Sequence, residues 1–315
     1  FPVPKTFGGE PEIIFWQALY LPIVSHGRKT ANGFRANPQG WWLRDKSEVL
    51  TRKTRLEWII SENWNQQEIS QRGKMNDFLL RKKILLVGAG CVGASIAEIL
   101  VRSGVYSLTI IDSDIFEVGN LSRHVLNVDD IGGLKGLSLC NYLNSLNPHA
   151  NVEVINNALT IDGELKTNID LDKYRIIIDC TGENSVLDII QSNNFKKRHI
   201  FASVSVGLGA KRLYITLMNN QTFDFKAFFD LIAPYLQSER VLYNDYDLPR
   251  NGIGCWHPTF PGRSDDVWLA ASTATKAIEN YIITESEKTI SLVYEQRESN
   301  GFFEGYMLVD KTEDG

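Results

Sequence analysis

The residues best suited to chemistry crowd into one stretch, 83–135. Gly88, Gly90 and Gly93 stand in the spacing G-x-G-x-x-G. An apolar run at 84–87 precedes them, and Ile96, Ile99 and Leu100 follow at helical spacing until Gly104. A glycine turn between strand and helix lets backbone approach a phosphate, and the helix N-terminus attracts its negative charge. A second apolar run, 108–111, ends on Asp112, an acid placed to accept ribose hydroxyls. Strand, glycine turn, helix, strand and acid in this order predict a nucleotide-binding half of a doubly wound sheet. The turn by itself does not choose between ATP and a nicotinamide dinucleotide.

The residues after Asp112 narrow the choice. A dehydrogenase continues into another βαβ unit, whereas here the chain reads Asp112-Ser113-Asp114, then Gly119-Asn120-Leu121-Ser122-Arg123, then Lys135 after Gly132-Gly133. This succession resembles the ThiF/MoeB family of adenylating enzymes, which includes the adenylation domains of ubiquitin-activating enzymes. Their pattern is G-x-G-x-x-G, D-x-D, N-L-x-R-Q and a lysine, and the resemblance covers about residues 81–285. It implies that ATP is bound by Gly88, Gly90, Gly93, Asp112 and Asp114. Asn120, Arg123 and Lys135 would hold its phosphates, with Arg123 and Lys135 assisting catalysis. The family's Gln after the Arg is His124 here. In relatives an arginine ahead of the first strand reaches the ATP of a partner subunit; Arg72 is a candidate counterpart, and a solvated surface arginine is the plainer reading.

Two further segments fit that resemblance. The family's D-C-T-D-N becomes Asp179-Cys180-Thr181-Gly182-Glu183-Asn184, an insertion of Gly182 with Glu183 in place of the acid. The resemblance assigns Mg2+ to Glu183, with Asp179 as the fallback; a carboxylate suits a hard cation. Glu183 would equally favour the N-terminus of the helix after it. Cys180 reads as a packed thiol. The segment Gly252-Ile253-Gly254-Cys255-Trp256-His257-Pro258-Thr259-Phe260 resembles a G-C-x-x-P-T-F stretch of bacterial ubiquitin-activating-like proteins, including those of anti-phage CBASS operons. A cysteine in a glycine-flanked loop can reach an adenylate, and His257 could lower its pKa or carry its proton. Cys255 is therefore the expected thioester nucleophile, against the alternative of a structural cysteine beside Trp256.

The elements that must position these residues read as an α/β fold: a Rossmann-like, doubly wound, mostly parallel sheet with an antiparallel portion, plus a small N-terminal region. Strands are expected at 84–87, 108–111, 152–155, 175–179, 201–206, 210–217, 290–294 and 302–309. Helices are expected at 94–102, 136–146, 185–195 and 264–283. The second helix should pack through Leu137, Cys140, Leu143 and Leu146. The pattern weakens over 219–250, where Phe223, Phe225, Phe228, Phe229, Leu231 and Tyr235 suggest a core or interface cluster. The tail from 310 should be loose. Residues 1–80 form a Trp-rich satellite or linker, with Trp16, Trp41, Trp42, Trp58 and Trp64 as core or interface anchors; residues 81–315 form the adenylation domain.

Composition bounds the rest. The chain has 315 residues, 43% hydrophobic and 23% charged, enough for one large domain and a smaller unit. A net charge of −5 argues against nucleic acid as a partner, and no apolar run is long enough for a membrane span. The chain begins at Phe1 with no signal-peptide pattern, which leaves open a longer protein with a further domain upstream. Four cysteines without a C-x-x-C pair imply no zinc and suit a cytoplasmic protein with reduced thiols. The resemblance then implies ATP-dependent adenylation of the C-terminal carboxylate of a protein tail, thioester formation on Cys255 and handover to a conjugating enzyme, by a homodimer. The alternatives are adenylation for sulfur transfer in cofactor synthesis, a nicotinamide-dependent oxidoreductase and, less favoured, a non-catalytic scaffold.

Overall fold

A computed structural model describes residues 2–4, 6–14, 16–20, 22–25, 33–156, 160–161, 164–165, 169–242 and 261–314. The chain divides into two compact units, Phe1–Ile69 and Ser70–Gly315. In the first, β1 (Pro2–Pro4) pairs antiparallel with β2 (Pro11–Ile14), and β3 (Ala18–Tyr20) pairs with β4 (Glu57–Ile59). Between them α1 (Pro38–Arg44) starts on Asn37, whose side chain accepts from the Gly40 N–H at 2.8 Å. That cap and a proline in the first turn are standard start signals. A four-residue helix, α2 (Gln66–Ile69), closes the unit. Trp16, Trp42, Trp58 and Trp64 are all exposed. Two-stranded ribbons offer no second layer, so these four lie outside the core, one of the two roles, core or interface, expected of them.

The second unit begins with α3 (Asp77–Leu80), whose Leu79 is fully buried. Then come β5 (Ile84–Val87), α4 (Cys91–Arg102), β6 (Ser107–Ile111), α5 (Lys135–Leu146) and β7 (Asn151–Ile155). A small hairpin, β8 (Thr160–Ile161) and β9 (Glu164–Leu165), leads to β10 (Ile176–Asp179) and α6 (Asn184–Ser192). The chain continues through β11 (His199–Val206), β12 (Arg212–Asn220), α7 (Lys226–Leu242), α8 (Ser264–Ile283), β13 (Thr289–Ser299) and β14 (Phe302–Asp314). Eight strands form one sheet in the order β14-β13-β12-β11-β10-β5-β6-β7. The pairs from β7 to β11 are parallel, and those from β11 to β14 are antiparallel. The fold is a Rossmann-like α/β fold with a mixed sheet.

Alternation along the strands divides the core. Leu86, Ile178 and Ala202 belong to the cluster that includes α4, α5 and α8 residues. Val87, Ile177 and Phe201 belong to the other cluster, with α6 and α7 residues. On α8, Ala270, Ala271 and Ala274 are fully buried, and small side chains let a helix lie close to its neighbours. None of the described helices is long and apolar enough to cross a membrane.

Several expectations need correction. On α5 the buried residues include Leu139, Cys140 and Leu143, with Leu137 exposed. An i, i+3, i+6, i+9 series drifts around a helix of 3.6 residues per turn, so it cannot hold one face. The weak stretch 219–250 contains the 17-residue α7, with Pro234 inside it. Its burial against the sheet outweighs the proline signal. The tail is not loose to its end: β14 runs to Asp314, which pairs with Thr289. Of the aromatic cluster, Phe223, Phe225 and Phe228 are core.

The buried Glu239 ties α7 to the turn between β11 and β12. Its carboxylate accepts from the Tyr214 hydroxyl (2.8 Å), the Leu208 N–H (3.1 Å) and Arg212 (3.3 Å). Glu239→Ala should cost about 2–3 kcal/mol in chemical denaturation, because buried donors lose their acceptor. Unfolding at the wild-type midpoint would show that this network carries no net stability.

Candidate active site

The strand order reverses beside β5. The chain runs from β5 to β6 and β7 on one side, then returns to β10 on the other. The C-terminal ends of β5 and β10 therefore border the crevice where such sheets bind ligands. Two turns meet there. Cys180 N–H donates to Val87 O at 2.8 Å, joining the ends of the strands. Gly88 has φ +91°, and a Cβ on it would lie 3.0 Å from the Thr181 methyl. A Cβ on Gly93 would lie 2.1 Å from the Gly88 carbonyl oxygen, so α4 can pack onto the turn only with glycine there. Gly90 precedes the first turn of α4 without a side-chain cap, and space is open above it.

That space belongs to a cavity of about 320 Å³. Its walls include Gly90, Asn120, Arg123, His124, Lys135 and Thr181. The tertiary fold thus gathers Gly90, Asn120, Arg123 and Lys135, residues that the resemblance to the ThiF/MoeB pattern groups together. Lys135, the first residue of α5, is 8% exposed; its Nζ donates to Asp114 at 3.0 Å and its N–H to Asp114 O at 2.7 Å. Asn120 Oδ1 accepts from the Glu117 N–H at 3.0 Å, bracing the short helical turn that carries it. Asp112 sits behind the glycine turn: Oδ2 accepts from Ala89 N–H (2.6 Å) and Oδ1 from Asp114 N–H (2.8 Å). Burial pushes its pKa up against those amides, so the carboxylate is a strut of the loop as well as a ligand candidate.

The metal candidates separate. Asp179 is 1% exposed; Oδ1 accepts from the Thr181 N–H and hydroxyl (3.0 and 2.7 Å), and Oδ2 from the Ser203 hydroxyl (2.8 Å). Three of its four lone pairs hold the second turn. Glu183 is exposed, adjoins Gly182 of the cavity wall, and its side chain accepts from the Ser185 hydroxyl at 3.3 Å. One carboxylate completed by phosphates and water is a usual magnesium set. Among the described residues no three His, Cys, Asp or Glu side chains cluster as a metal site. Glu183 stands at the N-cap of α6 without making a side-chain cap bond.

Cys91 and Cys180 also face the cavity, and burial raises both thiol pKa values, that of Cys180 well above its ordinary level. Neither is primed as a nucleophile. Cys255 and the whole 252–260 motif lie outside the described residues. A second cavity, of about 930 Å³, lies among Ser122, Gly209, Lys211, Arg263, Asp266 and Trp268. Arg72 is exposed in a turn of the second unit.

The ThiF family pattern matches residues 61–299. This chain belongs to the ThiF family. The pattern described as the Cap2 central linker domain matches residues 1–64. Over 282 residues, 88% of its length, the chain is 35% identical to the ATP-dependent ubiquitin transferase-like protein Cap2 of Enterobacter hormaechei. It spans 46% of that relative's length. A match of 113 residues at 36% identity, 36% of this chain and 25% of the relative, links it to the adenylyltransferase and sulfurtransferase UBA4 of Candida albicans. Among solved structures, PaaA shares the fold at a TM-score of 0.50 and 16% identity, over 75% of this chain and 73% of that one.

His124 is the wall residue that sequence reasoning registers only as a departure from the family pattern. Burial holds its pKa down to about 4, and the cations Lys135 and Arg123 act in the same direction; the Ala89 carbonyl and Asp130 oppose them. A His with a folded pKa below its unfolded value of about 6.5 leaves the unfolded chain binding more protons between the two. The neutral ring therefore supports the fold above pH 6.5 and loses that support as pH falls toward 4. The unfolding free energy of wild type relative to His124→Gln should drop by on the order of 3 kcal/mol from pH 7 to pH 4. A difference independent of pH would place the ring in solvent.

Proposed function

We propose that this chain is the adenylation unit of a ubiquitin-activating-like enzyme, with residues 81–315 as that unit. ATP and Mg2+ occupy the cavity at the ends of β5 and β10, and the substrate is the C-terminal carboxylate of a protein. One observation carries the reading. Asn120, Arg123, Lys135 and the uncapped first turn of α4 converge on a single cavity at the sheet's switch point. Similarity over 88% of the chain to a relative named as an ATP-dependent ubiquitin transferase-like protein supports it. The likeness to sulfurtransferase relatives extends over 104 to 132 residues and supports only the shared adenylation step. A dinucleotide oxidoreductase would leave Asn120, Arg123 and Lys135 without use.

Each residue has a role in this reading. Gly88, Gly90 and Gly93 form the phosphate turn. Asp112 keeps further lone pairs for a ribose hydroxyl. Asp114 orients Lys135. A carboxylate oxygen of the tail attacks the α-phosphorus, the bond from that phosphorus to the bridging oxygen breaks, and pyrophosphate leaves. Arg123 and Lys135, with Asn120, offset charge that builds on the phosphate oxygens. Glu183 would hold Mg2+, which supplies further charge neutralisation there. Cys255 Sγ then attacks the acyl carbon; the carbon–oxygen bond to AMP breaks, AMP leaves, and the thiol proton passes to solvent. A conjugating enzyme in the cytoplasm receives the thioester, in a pathway of anti-phage defence.

A homodimer belongs to this proposal. Exposed Ile115, Val118, Val128, Ile131 and Leu134 come from one connection between β6 and α5, and exposed apolar side chains grouped this way suit a protein interface.

The test is ATP–pyrophosphate exchange in the presence of a panel of proteins ending in glycine. Wild type should exchange label with one of them, and Arg123→Ala should reduce the rate by about two orders of magnitude, as loss of a charge-stabilising group does. Full activity in that variant would remove Arg123 from the mechanism. Cys255→Ala should retain exchange yet form no thiol-sensitive adduct with the tail protein. An adduct that persists in this variant would assign the thioester to another residue.

A further inference from the structure

His124 is bonded on both ring nitrogens. Its Nε2 lies 2.8 Å from the Ala89 carbonyl oxygen, and the Leu126 N–H donates to Nδ1 at 3.2 Å. A backbone N–H can only donate and a carbonyl can only accept, so the ring is the neutral tautomer with its proton on Nε2. The Phe116 ring meets it edge-on at 5.1 Å and fixes its plane. The opposite side of Ala89 is also held, since its N–H donates to Asp112. Ala89 lies between Gly88 and Gly90, whose backbones have the freedom that makes the turn possible, so the peptides on either side of it are the ones that need fixing.

We propose that His124 is a positioning residue of the nucleotide site. By donating to the Ala89 carbonyl it sets the plane of the Ala89–Gly90 peptide and, through it, the start of α4 that receives phosphate. Peptide planarity transmits the effect: the Ala89 C=O and the Gly90 N–H belong to one rigid unit. The inference rests on the ATP reading of the cavity. It also accounts for the substitution at this position. A Gln side chain carries an amide donor and a carbonyl acceptor, the same pair that the neutral imidazole presents to Ala89 and Leu126. Both side chains are uncharged, so either completes the loop without adding to the field of Arg123 and Lys135. A Lys or Arg could not accept from Leu126, and a Leu could make neither bond.

The experiment is calorimetric titration of the intact protein with ATP and magnesium. His124→Leu should weaken binding by roughly tenfold or more, the loss of one to two net hydrogen bonds. His124→Gln should restore affinity to within about threefold of wild type, which a purely volume-filling role would not achieve. Nitrogen NMR of the ring at neutral pH should show a protonated Nε2 and an unprotonated Nδ1; this readout holds even where His124→Leu fails to fold. ATP affinity in folded His124→Leu equal to wild type, no recovery in His124→Gln, or a proton on Nδ1 would each overturn the proposal. A wild type that does not bind ATP would sink the ATP reading itself, together with this one.

Discussion

The contact on which the site depends is the meeting of two backbone turns at the ends of adjacent parallel strands. The Cys180 N–H donates to Val87 O, and the glycine turn after β5 presses against Thr181 and the side chain of Cys180. A Cβ at Gly93 is excluded by the Gly88 carbonyl oxygen 2.1 Å away, and Gly88 is favoured by its φ of +91° together with contacts of 3.0–3.1 Å to Thr181 and Cys180. It also explains why both neighbouring acids are buried. Asp112 bonds the amides of Ala89 and Asp114, and Asp179 bonds Thr181 and Ser203. Each carboxylate stands at a strand end and supplies the acceptors that a tight turn cannot find in the sheet.

Polar groups in this region are thus divided between building and binding. Asp179 commits three of its four lone pairs to its own turn, and Asp112 two. Lys135 is held by Asp114, a mostly exposed acid, and still lines the cavity. Asn120 ends a short helical turn whose backbone it braces, and Arg123 stands in the turn after it, its N–H donating to Asn120 O at 3.1 Å. Both cations, Arg123 and Lys135, line the one cavity. His124 completes the same connection as an uncharged prop.

Gly93 and Asp112 are legible in the sequence because local rules constrain them, whereas Asn120, Arg123 and Lys135 stand out only through the resemblance to the ThiF/MoeB pattern. A glycine turn and an acid at a strand end each sit at a fixed offset from an element with clear periodicity. Likewise the runs at 84–87 and 176–179, buried on both faces, have the pattern of parallel strands. The 20-residue α8 is legible to the residue, since its acidic first turn and its small, regularly spaced apolar face agree. The sequence by itself determined the strand–turn–helix core, the order of the polar residues and, through that order, the family. It could not yield α7, because Pro234 obscures the periodicity and only packing against the sheet makes that segment helical. Nor could it tell that β14 extends to Asp314, where pairing with β13 rather than side-chain pattern holds the strand. The same is true of Asp179, whose burial comes from β11 supplying Ser203 across the sheet, and of His124, whose partner Ala89 is 35 residues away. Those assignments depend on groups distant in the chain, and hydrogen-bond partners at such range are fixed only when strands take their places in the sheet.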